Sequence, residues 1–203
     1  MNPIAINIGI FKIYWYSLLL IIAFTLGGLL VIKEGKKKNI STNFLLDYFL
    51  YLIPIVLIGA RIYYVIFNFS YYQKHLIEIF EVWQGGLAIH GGILTGFLFT
   101  LYYTKKKDIA FLTLTDIMVV SLILGQAIGR WGNFFNGEAF GPEITLQGLK
   151  NLHIPKFIID GMYINNTYYQ PTFLYESVCD FIIFMILYSI RNKRKYKGQI
   201  TFI

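Results

Sequence analysis

LTLTDIMVVSLILGQAIGRWGNFFNGEAFG, residues 112–141, decides the fold class. Leu112 to Gly129 is an apolar run close to the roughly 20 residues that cross a bilayer as a helix. An arginine, two asparagines and a glutamate then fall within ten residues, where a membrane helix should hand over to an ordinary loop. Charged and amide side chains at membrane depth are expensive, and by default they mark a functional site.

The rest of the composition agrees. The 203 residues are 56% hydrophobic, 18% aromatic and 14% charged, with mean hydropathy +0.56. A soluble domain carries about 25% charged residues, so the chain reads as an integral membrane protein. Net charge is +7, but the basic residues sit in short clusters between apolar runs. That pattern sets membrane topology and excludes a nucleic-acid groove. The only cysteine, Cys179, lies in an apolar run, which excludes a disulfide framework and predicts a small buried hydrophobe. The N-terminus lacks a basic n-region and a small-residue cleavage site, so its apolar run is expected to be a retained helix.

Five complete spans are expected at Ile13–Ile32, Phe44–Phe67, Leu87–Thr104, Leu112–Gly129 and Pro171–Ile190. GQITFI at Gly198–Ile203 reads as the start of a sixth. The predicted fold class is therefore all-α, polytopic and membrane-embedded. Loops one, three and five hold Lys33 and Lys36–Lys38, then Lys105–Lys107, then Arg191, Lys193, Arg194, Lys195 and Lys197, together 12 of the chain's 18 Lys and Arg. The positive-inside rule makes those loops cytoplasmic and puts the N-terminus and loops two and four outside. No separate soluble domain is evident, so residues 1–203 read as one transmembrane domain.

Several side chains in these external regions carry chemistry. Arg130 presents a planar fork of donors suited to phosphate oxygens, or snorkels to headgroups. Asn133, Asn136 and Glu138 follow closely, and Gly129, Gly132, Gly137 and Gly141 let the backbone approach a ligand. Together they read as a pocket wall. His90, in GGLAIHGGILTG, is suited to accept a proton near neutral pH, or packs between helices beside the close-contact pair Gly92 and Gly96. Arg61, in LIGARIYYV, binds an anionic headgroup or pairs with a carboxylate. Glu176 and Asp180 share a helix face at i,i+4 and invite a basic partner, Arg61 or Arg130. Tyr16 is an aromatic-belt anchor or a hydroxyl donor into the pocket. His75 and His153 read as solvated. No ligand spacing suggests a metal.

GRWGNFFNGEAFG resembles the motif of the prolipoprotein diacylglyceryl transferases, bacterial inner-membrane enzymes. Their pattern Gly-Arg-x-Gly-Asn-Phe-x-Asn-x-Glu, then Gly, is met at every fixed position. WYS at Trp15–Ser17, GARIYYV at Gly59–Val65, WQGGLAIHGG at Trp83–Gly92 and QPTFLYE at Gln170–Glu176 extend the likeness over nearly the whole chain. The resemblance implies transfer of a diacylglyceryl group from phosphatidylglycerol to the lipobox cysteine of a prolipoprotein. It implies no cofactor and no nucleic-acid partner. It puts phosphatidylglycerol binding on Arg130, a general base on His90 and a conserved tyrosine on Tyr16. It puts the motif's amide and carboxylate on Asn133 and Glu138. Asn136 and Gly141, in the same motif, are candidate headgroup contacts, and Arg61 is read from its own chemistry as a further residue to hold the headgroup.

Two departures stand out: Gln170–Pro171 replaces the family's common His-Pro, and Phe173 replaces a frequent glutamine. The family also continues beyond GQITFI with a further arginine and glutamate, so the chain reads as C-terminally truncated, with weak or no activity expected. The competing readings are a small transporter or channel, against which no internal repeat is found, and an inactive fragment. No GxSxG nucleophile elbow suggests another lipid enzyme.

Overall fold

The computed structural model describes residues 3–9 and 11–203. Their packing divides into two compact units, Met1–Lys33 with Thr115–Ile203, and Glu34–Leu114. Each is described by itself.

The first unit opens with a hairpin of β1 (Ile4–Ile8) and β2 (Phe11–Tyr14), antiparallel, with Ile6 opposite Ile13 and Ile8 opposite Phe11. This hairpin was not expected from the sequence. Its alternation of Ile4, Ile6 and Ile8 is the period of a strand, but the apolar helix that follows masks it. α1 (Trp15–Lys37) begins here, α5 (Phe111–Asn136) ends here, and α8 (Thr172–Ile190) closes the unit. Between them lie the short helices α6 (Leu146–Asn151) and α7 (Lys156–Gly161) and a small hairpin of β3 (Tyr163–Ile164) and β4 (Thr167–Tyr168). Val120, Leu187 and Ile200 form one buried core with Leu30 and Phe184 packed on it, tying α1, α5 and α8 to the C-terminal segment.

That segment is held by one carboxylate. Asp116 is 4% exposed and accepts hydrogen bonds from the N–H groups of Gly198 (2.8 Å), Ile200 (3.0 Å) and Thr201 (3.0 Å). It also accepts from the Thr201 hydroxyl at 2.9 Å and pairs with the Arg194 guanidinium. An ionisable group inside an apolar span demands such compensation. The expected start of a sixth span is here a run of turns, with one helix-like bond from Phe202 N–H to Gly198 O. Asp116→Asn keeps the shape but loses charge-assisted bonds, and should cost about 2 kcal/mol. Denaturation of the detergent-solubilised protein measures this; an unchanged midpoint would show that the carboxylate holds nothing.

In the second unit α2 (Thr42–Phe67) pairs with α4 (Ile89–Lys106), with α3 (Phe69–Tyr72) and two 3-10 turns between them. Ser41 caps α2, its Oγ accepting from Phe44 N–H at 3.2 Å. Tyr48 Oη and Thr100 Oγ1 share a buried hydrogen bond of 2.7 Å across the pair. Gly92 and Gly96 face Val56 of α2, as expected of small residues at a close helix crossing.

Among the described residues four helices, α1, α2, α5 and α8, are long and apolar enough to cross a membrane. The expected third span is the 18-residue helix α4, whose apolar character is diluted by His90 in its first turn and Lys105 and Lys106 in its last. Outward faces are apolar: Phe24, Leu50 and Ile66 are each more than 60% exposed. Such surfaces suit acyl chains and not water, and the chain is a multi-pass helical membrane protein. α1 and α5 overrun the C-terminal ends of their predicted spans. Lys33, Lys36 and Lys37 lie on α1, not in a loop, because helix hydrogen bonds continue past the apolar slab. Cys179, expected to be buried, is exposed on α8, on the outward side of a helix with little inward surface.

Candidate functional site

The polar run expected to be a loop is helical for its first eight residues. α5 continues through Gly129–Asn136 and ends at Gly137. The ending is a Schellman motif: Gly137 N–H bonds to Phe134 O (3.2 Å) and Glu138 N–H to Asn133 O (3.0 Å). Gly137 stands at φ +66°, a conformation that penalises any side chain. Gly137→Ala should therefore cost about 1–2 kcal/mol. Denaturation of the variant beside wild type measures this.

Helical spacing sorts the run into two faces. Trp131 and Phe134 point inward, where Phe134, Ile158, Met162 and Phe173 form a buried core. Trp131 Nε1 donates to Ser177 Oγ (3.1 Å), which donates to Ala127 O (2.8 Å), locking α8 to α5. Phe173, at the position where the family often has glutamine, is 2% exposed and stacks on Phe134 at 4.5 Å. Arg130 and Asn133, i,i+3, keep to a wetter face. Arg130 Nε lies 3.0 Å from Glu176 Oε2, although its N–H finds no hydrogen-bond acceptor. The pairing is coulombic and not a linear hydrogen bond. Both side chains are more than a third exposed, so the pair adds under about 1 kcal/mol to stability. Of the two candidate cations, Arg130 is the partner of Glu176.

Glu138 Oε1 accepts from Asn133 Nδ2 (3.3 Å) and Asn136 Nδ2 (3.2 Å), gathering the three expected residues into one cluster. The segment after it is tied down by backbone and side-chain bonds. Gly141 N–H donates to Gln170 O (3.0 Å), Gln170 N–H to Pro142 O (3.0 Å), and Thr172 Oγ1 to Ala139 O (2.8 Å). QPTFLYE thus backs the glycine-rich loop, a role that its spacing in the sequence does not reveal. Tyr16 opens α1 and lies against Gly132, where an added methyl would sit 2.6 Å from ring Cδ2. Its neighbour Trp15 stacks on Phe135 at 4.8 Å.

The other two expected residues lie in the second unit. His90 is exposed in the first turn of α4, its ring 6.3 Å from that of Tyr63 and tilted by 28°. Arg61, only 5% exposed, points into the loop that leads to His90. Nε donates to Ile79 O (2.9 Å), Nη1 to Gly85 O (2.8 Å) and Gly86 O (3.0 Å), and Nη2 to Glu78 O. Four of the five guanidinium N–H groups are thus taken by backbone carbonyls. In the same loop Tyr71 Oη donates to Glu78 Oε2 (2.7 Å), a bond that raises the phenol above its ordinary pKa. His75 is exposed and stacks on Tyr71 at 4.4 Å, and His153 is exposed.

A family model described as Prolipoprotein diacylglyceryl transferase matches residues 3–203. The chain is 46% identical over 195 residues to a phosphatidylglycerol–prolipoprotein diacylglyceryl transferase of Ligilactobacillus salivarius, covering 96% of the chain and 72% of that protein. It is 43% identical over 203 residues to that of Bacillus licheniformis, covering 100% and 75%. It is 42% identical over 200 residues to that of Listeria monocytogenes serovar 1/2a, covering 98% and 72%.

Proposed function

The chain belongs to the prolipoprotein diacylglyceryl transferase family, and from that membership we propose how its own residues transfer a diacylglyceryl group from phosphatidylglycerol to a prolipoprotein. The acceptor is the lipobox cysteine thiol, and the reaction is the first step of lipoprotein maturation. The setting is the outer face of the bacterial plasma membrane, the side to which the lysine clusters assign loops two and four.

The observation that carries the site assignment is a guanidinium with only a weak claim on it. Arg130 pairs with one partly exposed carboxylate, beside an amide and carboxylate cluster on the same helix end. Such a cation can exchange Glu176 for a phosphate, which offers its fork a better match. Asn133, Asn136, Glu138 and the Gly141 turn flank the headgroup's glycerol, whose hydroxyls suit amide and carboxylate partners. Tyr16 supplies a hydroxyl at the same helix end.

The thiol is a poor nucleophile until it loses its proton. His90 takes that proton. The thiolate attacks the diacylglycerol carbon that bears the phosphate oxygen; the S–C bond forms as the C–O bond breaks, and glycerol phosphate leaves with the electron pair. Arg130 neutralises the charge that grows on the leaving phosphate. Incubating the membrane-embedded protein with phosphatidylglycerol and a lipobox peptide should give a diacylglyceryl thioether, identified by mass. Solute flux in liposomes with no thioether formed would favour a transporter instead.

A further inference from the structure

We propose that Arg61 is a positioning residue: its guanidinium clamps the Glu78–Gly86 loop and thereby sets the first turn of α4, which carries His90. The inference rests on the reading of His90 as the base. Four carbonyls from two separated stretches, Glu78 and Ile79, then Gly85 and Gly86, converge on one buried side chain. The Tyr72 ring lies 5.2 Å from the guanidinium carbon and adds a cation–π contact. Gly86 must lack a side chain, because it stands at φ +68° and a Cβ would overlap Nη1 and approach Tyr64 Cε1 to 2.8 Å. The residue before the arginine completes the hold, since Ala88 N–H donates to Ala60 O at 3.1 Å. Residues 60 and 61 thus fix the chain on both sides of Leu87, and His90 follows within one helical turn.

The same geometry argues against a headgroup role. One N–H is left over, too few for a bidentate grip on phosphate. A cavity of about 440 Å³ does open beside Arg61, but Glu78 and Glu81 line it with the tyrosines, and carboxylates repel a phosphate.

Arg61→Lys keeps the charge but cannot reach four carbonyls. Its loss of charged hydrogen bonds should raise amide hydrogen exchange across residues 78–88 by about 10-fold or more. The altered placement of His90 should lower kcat by about 100-fold, with half-saturation by phosphatidylglycerol in mixed vesicles little changed. Gly86→Ala, which keeps the arginine but crowds its Nη1, should reproduce both effects more mildly and guards against a folding failure of the first variant. Wild-type exchange in both variants overturns the clamp. A raised half-saturation with kcat intact also overturns the proposal and makes Arg61 a headgroup ligand. A near-normal rate in His90→Ala removes the base assignment and the positioning role with it, while the exchange result still reports separately whether the loop is clamped.

Discussion

Arg130→Gln should lower diacylglyceryl transfer by roughly 100- to 1,000-fold, the cost of removing one preorganised group from a developing anion. The fall should appear mainly in kcat, because the phosphate carries more negative charge as it leaves than when it is esterified in the lipid. Folding should be nearly untouched. The Arg130–Glu176 pair is exposed at 37% and 47% of its side chains, so its loss releases two groups that water already reaches. Arg130→Lys should fall between the two, since an ammonium supplies the charge without the fork. The measurement is thioether formation per enzyme across a range of phosphatidylglycerol fractions, beside thermal denaturation of the same samples. A variant that melts like wild type and transfers at more than a tenth of its rate would remove Arg130 from the phosphate.

His90→Ala is the second large effect, with a loss of about 100- to 10,000-fold expected when a positioned base is deleted. The side chain is exposed in the first turn of α4 and touches Tyr63 loosely, so truncation leaves no cavity. What should change is the pH profile. A thiol that must ionise unaided reacts faster as pH rises, so the deficit of the variant should narrow steadily in alkaline assays. A peptide acceptor with a more acidic thiol should narrow it too. A deficit that stays constant at every pH would show that His90 acts otherwise than by taking the proton.

Much of this arrangement is legible in the sequence, and the boundary of what is legible is physical. Hydropathy reports the thickness of the apolar slab, so it located α2 to within two residues of its start and at its end, Phe67. It missed the overhangs of α1 and α5, because a helix needs backbone partners and not apolar side chains to continue into polar surroundings. The GRWGNFFNGEAFG cluster was identified by residue type. Its helical half was not, since four glycines suggest turns and only the φ of Gly137 uses that freedom to end the helix. Arg61 was singled out as a charge in an apolar span, and both readings of it assumed another charged group. Backbone carbonyls are present at every residue, so no pattern of side chains could point to them. Asp116 shows the same blindness from the other side, as an acceptor whose partners are mostly N–H groups.

That last feature also says which substitutions the C-terminal segment will accept. Asp116 recognises a chain path through three backbone N–H groups, and particular side chains only at Arg194 and Thr201. Ile200 can give way to other apolar residues that fill its buried place, whereas Gly198, at φ +88°, resists any side chain. Proline is the exception: at Ile200 it would delete a donor that no side chain can replace. Glycine at 198 and an apolar residue other than proline at 200 are what this chain path demands of the tail.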